Sequence, residues 1–238
     1  MNSGMYAALS GSLTAQRRLD VLTNNLANAS TAGFKADTIG FESVLAGVNN
    51  PTQQPIFANE RYSTDFSQGP LQKSDNTFDL ALEGEGFFVV NTPDGPAYTR
   101  QGNFQRGPGG KLVTSDGYEV QGGNGPITIA NGSRVIIDEN GQVNVDGSAV
   151  GTISRVDFPK PYSLSKQGNG LWVPADPAAA PAAAQTPVKQ GYLEGSNVKV
   201  VVEMARMIET SRFFESCARA VRSYDDMAAK AANDLGKV

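Results

Sequence analysis

Residues 207–224 read Met-Ile-Glu-Thr-Ser-Arg-Phe-Phe-Glu-Ser-Cys-Ala-Arg-Ala-Val-Arg-Ser-Tyr, and apolar or small side chains return in this stretch at alternating steps of three and four. With their continuation toward the end of the chain, the positions on this stripe are Met207, Thr210, Phe214, Cys217, Val221, Tyr224, Ala228, Ala231 and Leu235. This spacing places a seam along one face of an α-helix, and such a seam requires a partner helix.

The N-terminus carries a second stripe of the same kind. Its members are Met5, Ala8, Ser12, Ala15, Leu19, Leu22, Leu26 and Ala29, and Leu9 and Leu13 widen it. We expect a helix from about residue 3 to about residue 28, ended by the run Asn28-Ala-Ser-Thr-Ala-Gly33. Two end-helices that need partners suggest a subunit that assembles. The alternative is that each helix packs only within its own chain.

The middle of the chain, residues 78–173, has the pattern of an all-β domain. Short apolar stretches such as Phe87-Phe-Val-Val90 alternate with turn dipeptides that favour tight hairpins. These dipeptides are Asp94-Gly95, Asp116-Gly117, Asn131-Gly132, Asn140-Gly141 and Asp146-Gly147. The predicted fold class is therefore mainly β, with a central antiparallel β domain. We expect the long N- and C-terminal helices to pair with each other as a coiled-coil-like domain.

The pattern divides the chain into four parts, which are an N-terminal helix over 1–33, an extended connector over 34–76, a β-rich domain over 77–190 and a C-terminal helix over 191–238. A plain surface loop with a short helix at Phe41–Leu45 is an equally good interpretation of the connector. The Ala- and Pro-rich run from Pro174 to Pro187 is expected to be a semi-extended loop.

Composition excludes several function classes. The 238 residues carry a net charge of -4, no histidine and one cysteine. This composition argues against a nucleic-acid surface, which needs clustered cations, and against the nucleophile and metal sites that use histidine or paired thiolates. We therefore expect no catalytic residues, no cofactor, no metal site and no small-molecule substrate. We also expect neither a cleaved signal peptide nor a membrane-spanning segment, which needs about 20 apolar residues.

One segment hints at calcium, because oxygen-bearing side chains alternate between Asp138 and Asp146. The calcium loop of an EF-hand needs Gly at its sixth position, where this chain has Val143. A hairpin at Asn140-Gly141 explains the segment better, and we interpret it in that way.

Three groups of motifs, in chain order, resemble the flagellar rod and hook protein family. The first is Asn24-Asn-Leu-Ala-Asn-Ala-Ser-Thr-Ala-Gly-Phe-Lys35. The second begins with Leu80-Ala-Leu-Glu-Gly-Glu-Gly-Phe-Phe-Val-Val90 and continues to Tyr118. The third contains Gly195-Ser-Asn-Val198 and Arg212-Phe-Phe-Glu215. Together they span nearly the whole chain, which makes the resemblance specific.

The resemblance implies a structural subunit of the bacterial flagellar basal-body rod, which crosses the periplasm and transmits motor torque. Within the family, the chain is most similar to the proximal rod proteins, and a distal rod protein is the alternative. Copies of the chain and other rod subunits would be its partners, and the flagellar type III apparatus would export it. The terminal helices would form an inner domain and residues 77–190 an outer domain. A soluble β-domain binding module remains the competing class.

We expect the assembly interface to lie on the terminal helices, with Asn24, Asn25 and Asn28 making hydrogen bonds across subunits. The full set of candidate interface residues is Met5, Leu9, Leu19, Leu22, Asn24, Asn25, Leu26, Asn28, Phe34, Met204, Met207, Ile208, Phe214, Val221 and Tyr224.

Overall fold

The computed structural model describes residues 2–43, 58–123, 125–130, 132–176 and 179–235. The chain forms two compact units. Unit 1 combines Met1–Ala29, Ala36–Phe66 and Val198–Val238. Unit 2 combines Ser30–Lys35 and Ser67–Asn197. In its described residues the chain is mainly β, with an antiparallel central domain and one long helix toward each terminus, which confirms the predicted class at this level.

Unit 1 contains both α-helices, α1 (Asn2–Ala27) and α2 (Val200–Leu235). It also contains the strands β1 (Asp37–Ser43) and β2 (Ala58–Thr64), which pair antiparallel. The segment expected to be an irregular connector therefore carries a two-stranded ladder. Of the alternative short helix at Phe41–Leu45, the first three residues lie in β1 and the last two lie outside the described residues.

Unit 2 is built from short strands. In chain order they are β3 (Leu71–Lys73), β4 (Leu80–Leu82), β5 (Phe87–Thr92), β6 (Gly95–Thr99), β7 (Gln105–Arg106), β8 (Leu112–Val113), β9 (Glu119–Gly122), β10 (Gly125–Pro126), β11 (Val135–Ile137), β12 (Gln142–Val145), β13 (Ser148–Thr152), β14 (Arg155–Asp157), β15 (Leu164–Gly168), β16 (Leu171–Pro174), β17 (Ala182–Ala183), β18 (Val188–Gln190) and β19 (Tyr192–Glu194). A single 3₁₀ turn, Pro108–Gly110, lies between β7 and β8 in the described part of this unit.

The largest sheet of unit 2 runs in the order β15-β16-β6-β5-β9-β8-β7. A smaller sheet has the order β11-β12-β13, and β4 pairs with β18 and β3 with β19. These last two pairings bring the C-terminal strands back to the start of the unit, so unit 2 extends beyond the 77–190 expected for the β domain. Its core is apolar and draws on Leu80, Phe88, Val90, Leu112, Val120, Ile129, Val143 and Ile153, all fully buried.

The segment Asp138–Asp146 forms the hairpin expected from Asn140-Gly141. Gly141 has φ 72, a value that a tight turn needs and that glycine adopts without strain. The Asp138 side chain accepts a hydrogen bond from the Gln142 N–H at 2.8 Å. The Arg155 guanidinium donates to the carbonyl oxygens of Asn140, at 2.7 Å, and of Thr186. The cationic side chain of Arg155 thus binds the Asn140 carbonyl of this hairpin and joins the hairpin to Thr186, which lies outside it.

The Ala- and Pro-rich run is in part a strand, since β17 pairs with β14 through Ala183 and Val156. Residues 177–178 of this run lie outside the described residues. Among the helices that the structure describes, neither has a stretch long and apolar enough to cross a membrane.

Candidate assembly surface on the terminal helices

Helices α1 and α2 pack against each other in antiparallel orientation within unit 1. Three close pairs define the register, with Gly4 opposite Tyr224, Gly11 opposite Cys217 and Asn25 opposite Glu203. From one pair to the next, the step forward along α1 equals the step backward along α2. The two helices therefore stay in one register over about six turns.

Two glycines of α1 lie directly against side chains of α2. A Cβ atom added to Gly4 would lie 2.2 Å from the Tyr224 hydroxyl oxygen, and one added to Gly11 would lie 3.1 Å from the Cys217 sulfur. Ala15 is buried further along the same face. The two glycines therefore let the helices approach more closely than any side chain at these positions would.

The α2 side of the contact coincides with the stripe that the sequence predicts. From Met207 to Tyr224, every position of that stripe is buried or half-buried. Glu203 extends it by one step toward the start of the helix and is also buried. Toward the other end, Ala228 is exposed.

The α1 side is partly different from the prediction. Ala8, Ala15 and Leu22 face inward as expected, but the face also uses Gly4 and Gly11, which the apolar pattern did not include. Met5 and Leu9, which we assigned to the same seam, are exposed. The physical reason is that the two helix backbones can come closest only where α1 has small residues. The sequence prediction considered mainly large apolar residues and so did not include the glycines.

Asn25 is the main polar residue of this contact and is buried. Its side-chain amide donates to the Asp37 carbonyl at 2.8 Å, and its amide oxygen accepts from the Asp37 N–H at 2.9 Å. The same amide nitrogen lies 3.4 Å from a carboxylate oxygen of Glu203. Asn25 therefore makes these hydrogen bonds inside its own chain and ties α1, β1 and α2 together. The expected bonds across subunits stay a prediction.

The remaining candidate interface residues fall into clear groups. Leu22 is buried, and those that are half-buried are Leu19, Leu26, Asn28, Phe34, Met207, Phe214, Val221 and Tyr224. Those that are exposed are Met5, Leu9, Asn24, Met204 and Ile208. Phe34 belongs to unit 2, where its ring lies 4.8 Å from the Lys166 ammonium. Asn28 follows the last residue of α1, and its side chain donates to the Asn24 carbonyl of that helix.

The exposed candidates belong to two outer patches of apolar side chains, one on each helix. The patch on α1 consists of Met5, Tyr6, Leu9 and Leu13, and the patch on α2 includes Val201, Met204 and Ile208. In the register given above, the two outer patches lie toward opposite ends of the α1–α2 contact. Leu9 is 46% exposed and Ile208 57%. Their spacing follows the helix repeat, so each helix buries one stripe in the chain and exposes another. Clustered exposed apolar side chains are typical of a surface that binds protein.

Comparison with known families covers most of the chain in three separate matches. Residues 5–35 match the model described as flagella basal body rod protein. Residues 81–145 match the flagellar hook protein FlgE/F/G D1 domain, and residues 189–235 match the flagellar basal body rod FlgEFG protein C-terminal model.

Full-length relatives agree with these matches. The chain is 32% identical to the flagellar basal-body rod protein FlgF of Caulobacter vibrioides, over 100% of both chains. It is 31% identical to FlgF of Mesorhizobium japonicum, over 99% of both. It is also 31% identical to the flagellar basal-body rod protein FlgG of Bacillus subtilis, over 98% of this chain and 99% of the relative.

Proposed function

The chain belongs to the flagellar basal-body rod protein family and is a structural subunit rather than an enzyme, and we propose that it joins the rod through the exposed apolar faces of α1 and α2. The flagellar basal body is accordingly its location, and other rod subunits, together with copies of this chain, are its partners. The observation that carries the proposal is the pair of outer patches, which include Leu9 on α1 and Ile208 on α2 and which the α1–α2 contact leaves uncovered.

The buried stripes and the outer patches have different roles in this proposal. The buried stripes join α1 and α2 as a coiled-coil-like antiparallel pair and give each subunit a rigid helical end. The outer patches then meet the helices of neighbouring subunits. These contacts join two different surfaces, because a contact between identical surfaces closes as a dimer and cannot propagate along a rod.

The FlgF relatives favour a place in the proximal rod, within the periplasm. The similarity to FlgG favours the distal rod as the second candidate, since it also extends over 98% of the chain. In either place unit 1, which contains both terminal helices, would form the inner domain and unit 2 the outer one. Such a subunit transmits motor torque, and the flagellar type III apparatus exports it without a cleaved signal peptide.

Site-specific photo-crosslinking in flagellated cells tests this assignment. A photoreactive amino acid is placed at Leu9 or at Ile208, and at Ala7 as an exposed control that lies about 160° around α1 from Leu9. The proposal expects crosslinks from Leu9 and Ile208 to rod subunits in purified basal bodies, and far fewer from Ala7. Equal yields at all three positions, or crosslinks only to proteins outside the rod, would contradict it.

A further inference from the structure

Unit 2 contains a cluster of three buried charges that the assembly surface does not involve. The Lys35 ammonium lies 2.6 Å from one carboxylate oxygen of Glu194, and the Arg100 guanidinium lies 3.1 Å from the other. The side chains of Lys35, Arg100 and Glu194 are 1%, 4% and 0% exposed. The Gly69 N–H donates to the same carboxylate at 2.9 Å.

Further hydrogen bonds join this cluster to the backbone around it. Lys35 donates to the Ser67 carbonyl at 2.6 Å. The Gly33 N–H donates to the Glu194 carbonyl at 2.7 Å, and the Asn197 N–H donates to the Phe34 carbonyl at 3.4 Å. The Asn197 side chain donates to the Ser67 carbonyl at 3.2 Å. Segments 33–35, 67–69 and 194–197 are thus fastened to one another, and we call this set of contacts the clamp.

The clamp lies where the chain leaves unit 2. Lys35 is the last residue of unit 2 before the chain enters unit 1, Ser67 is the first after it returns, and Asn197 is the last before α2. Every bond of the clamp lies inside unit 2. Any tension carried along the chain through these three connections therefore enters unit 2 at residues that the clamp holds together.

The direction of the fastened segments determines how they bear tension. Gly33 pairs with Glu194 and Phe34 with Asn197, so both segments advance in the same direction. Tension applied through the residues before Gly33 and after Asn197 pulls two parallel segments in opposite directions along their length. All bonds between them are then loaded at the same time rather than one after another.

We propose that the clamp is a force-bearing device that keeps unit 2 folded when its chain connections are under tension. Its charges suit this task, because breaking a buried ion pair leaves an uncompensated charge in the interior and is strongly unfavourable. The use of this resistance in torque transmission rests on the proposed function above, whereas the mechanical property itself belongs to the isolated subunit.

Lys35→Met tests the clamp most directly, because it removes the hydrogen bond to the Ser67 carbonyl and still leaves Glu194 paired with Arg100. Its matched control is Lys111→Met, since Lys111 pairs with Glu119 at 2.5 Å in the same unit but is 41% exposed. Full-length protein is held by its two termini in optical tweezers, and the unfolding rate of unit 2 is measured at fixed force. We expect Lys35→Met to raise this rate at least about tenfold and Lys111→Met to change it less than about threefold.

A second pulling direction separates force bearing from ordinary stability. Handles are attached through Asp94→Cys and Ser148→Cys, two exposed positions in hairpins of unit 2, in a Cys217→Ser background. Force then enters away from the clamp, so the clamp is still intact when the barrier to unfolding is crossed. Lys35→Met weakens the native and the transition state equally in that case, and it should leave the unfolding rate unchanged within about threefold. Equal acceleration in both directions would show a general contribution to stability and overturn the proposal. So would an unchanged rate on pulling from the termini. A failure of rod assembly in cells has no bearing on either readout.

Discussion

Replacing Asn25 with alanine removes the side chain that ties α1 to β1 and α2. The amide makes two bonds of 2.8 and 2.9 Å to the backbone of Asp37 and a longer one of 3.4 Å to Glu203. A hydrogen bond contributes about 0.5–1.5 kcal/mol net, and a buried group that loses its partner costs about 1–3 kcal/mol. Together these terms predict that the free energy of unfolding of unit 1 falls by about 2–4 kcal/mol.

Circular dichroism at 222 nm is the suitable assay, because both described α-helices lie in unit 1 and dominate the helical signal. For a unit of this size, the loss corresponds to a fall in Tm of about 10–20 °C. Asn24→Ala is the matched control, since Asn24 is the exposed neighbour on the same helix, and it should change stability by less than about 0.5 kcal/mol. Equal losses in the two variants would refute the reasoning.

Three further changes have definite expected outcomes. Gly102→Ala should lower the free energy of unfolding of unit 2 by more than about 2 kcal/mol in urea titration, because its Cβ would lie 1.6 Å from the Leu80 carbonyl oxygen. Gly123→Ala, with no atom within 4 Å of the added Cβ, should be close to neutral, and a similar loss there would contradict the argument. Arg155→Met should cost about 1–3 kcal/mol in the same titration by leaving the hairpin carbonyls unbonded, and unchanged stability would exclude this role. Leu22→Asp should abolish the cooperative loss of the 222 nm signal while the near-ultraviolet spectrum of unit 2 persists, since a buried unpaired charge prevents α1 from packing, and a wild-type helical transition would count against the seam.

The C-terminal seam could be predicted from the sequence because its physical basis is local. The steps of three and four from Met207 to Tyr224 are a property of one helix, and the structure buries that same face. The N-terminal seam was only half predictable, since Gly4 and Gly11 contribute by lacking a side chain. A pattern of apolar residues gives no signal for a position where the absence of a side chain is what matters.

Non-local features were harder to predict. Strand β1 contains only two large apolar residues, Ile39 and Phe41, and its partner β2 is mostly polar, so alternation gave no clear strand signal. The clamp joins Lys35, Arg100 and Glu194, which lie far apart in the sequence. Lys35 ends the first family motif, yet nothing in that motif indicates which acidic residue is its partner.

The central claim is that the outer patches of the terminal helices build the rod. The most direct measurement is the amount of this chain in purified basal bodies, determined by mass spectrometry for Leu9→Glu and for Ala7→Glu, which adds the same charge at an exposed position about 160° around α1 from Leu9. The account predicts that Leu9→Glu is absent from basal bodies although its helices fold, while Ala7→Glu is present at the wild-type level. Incorporation of Leu9→Glu at the wild-type level would contradict it.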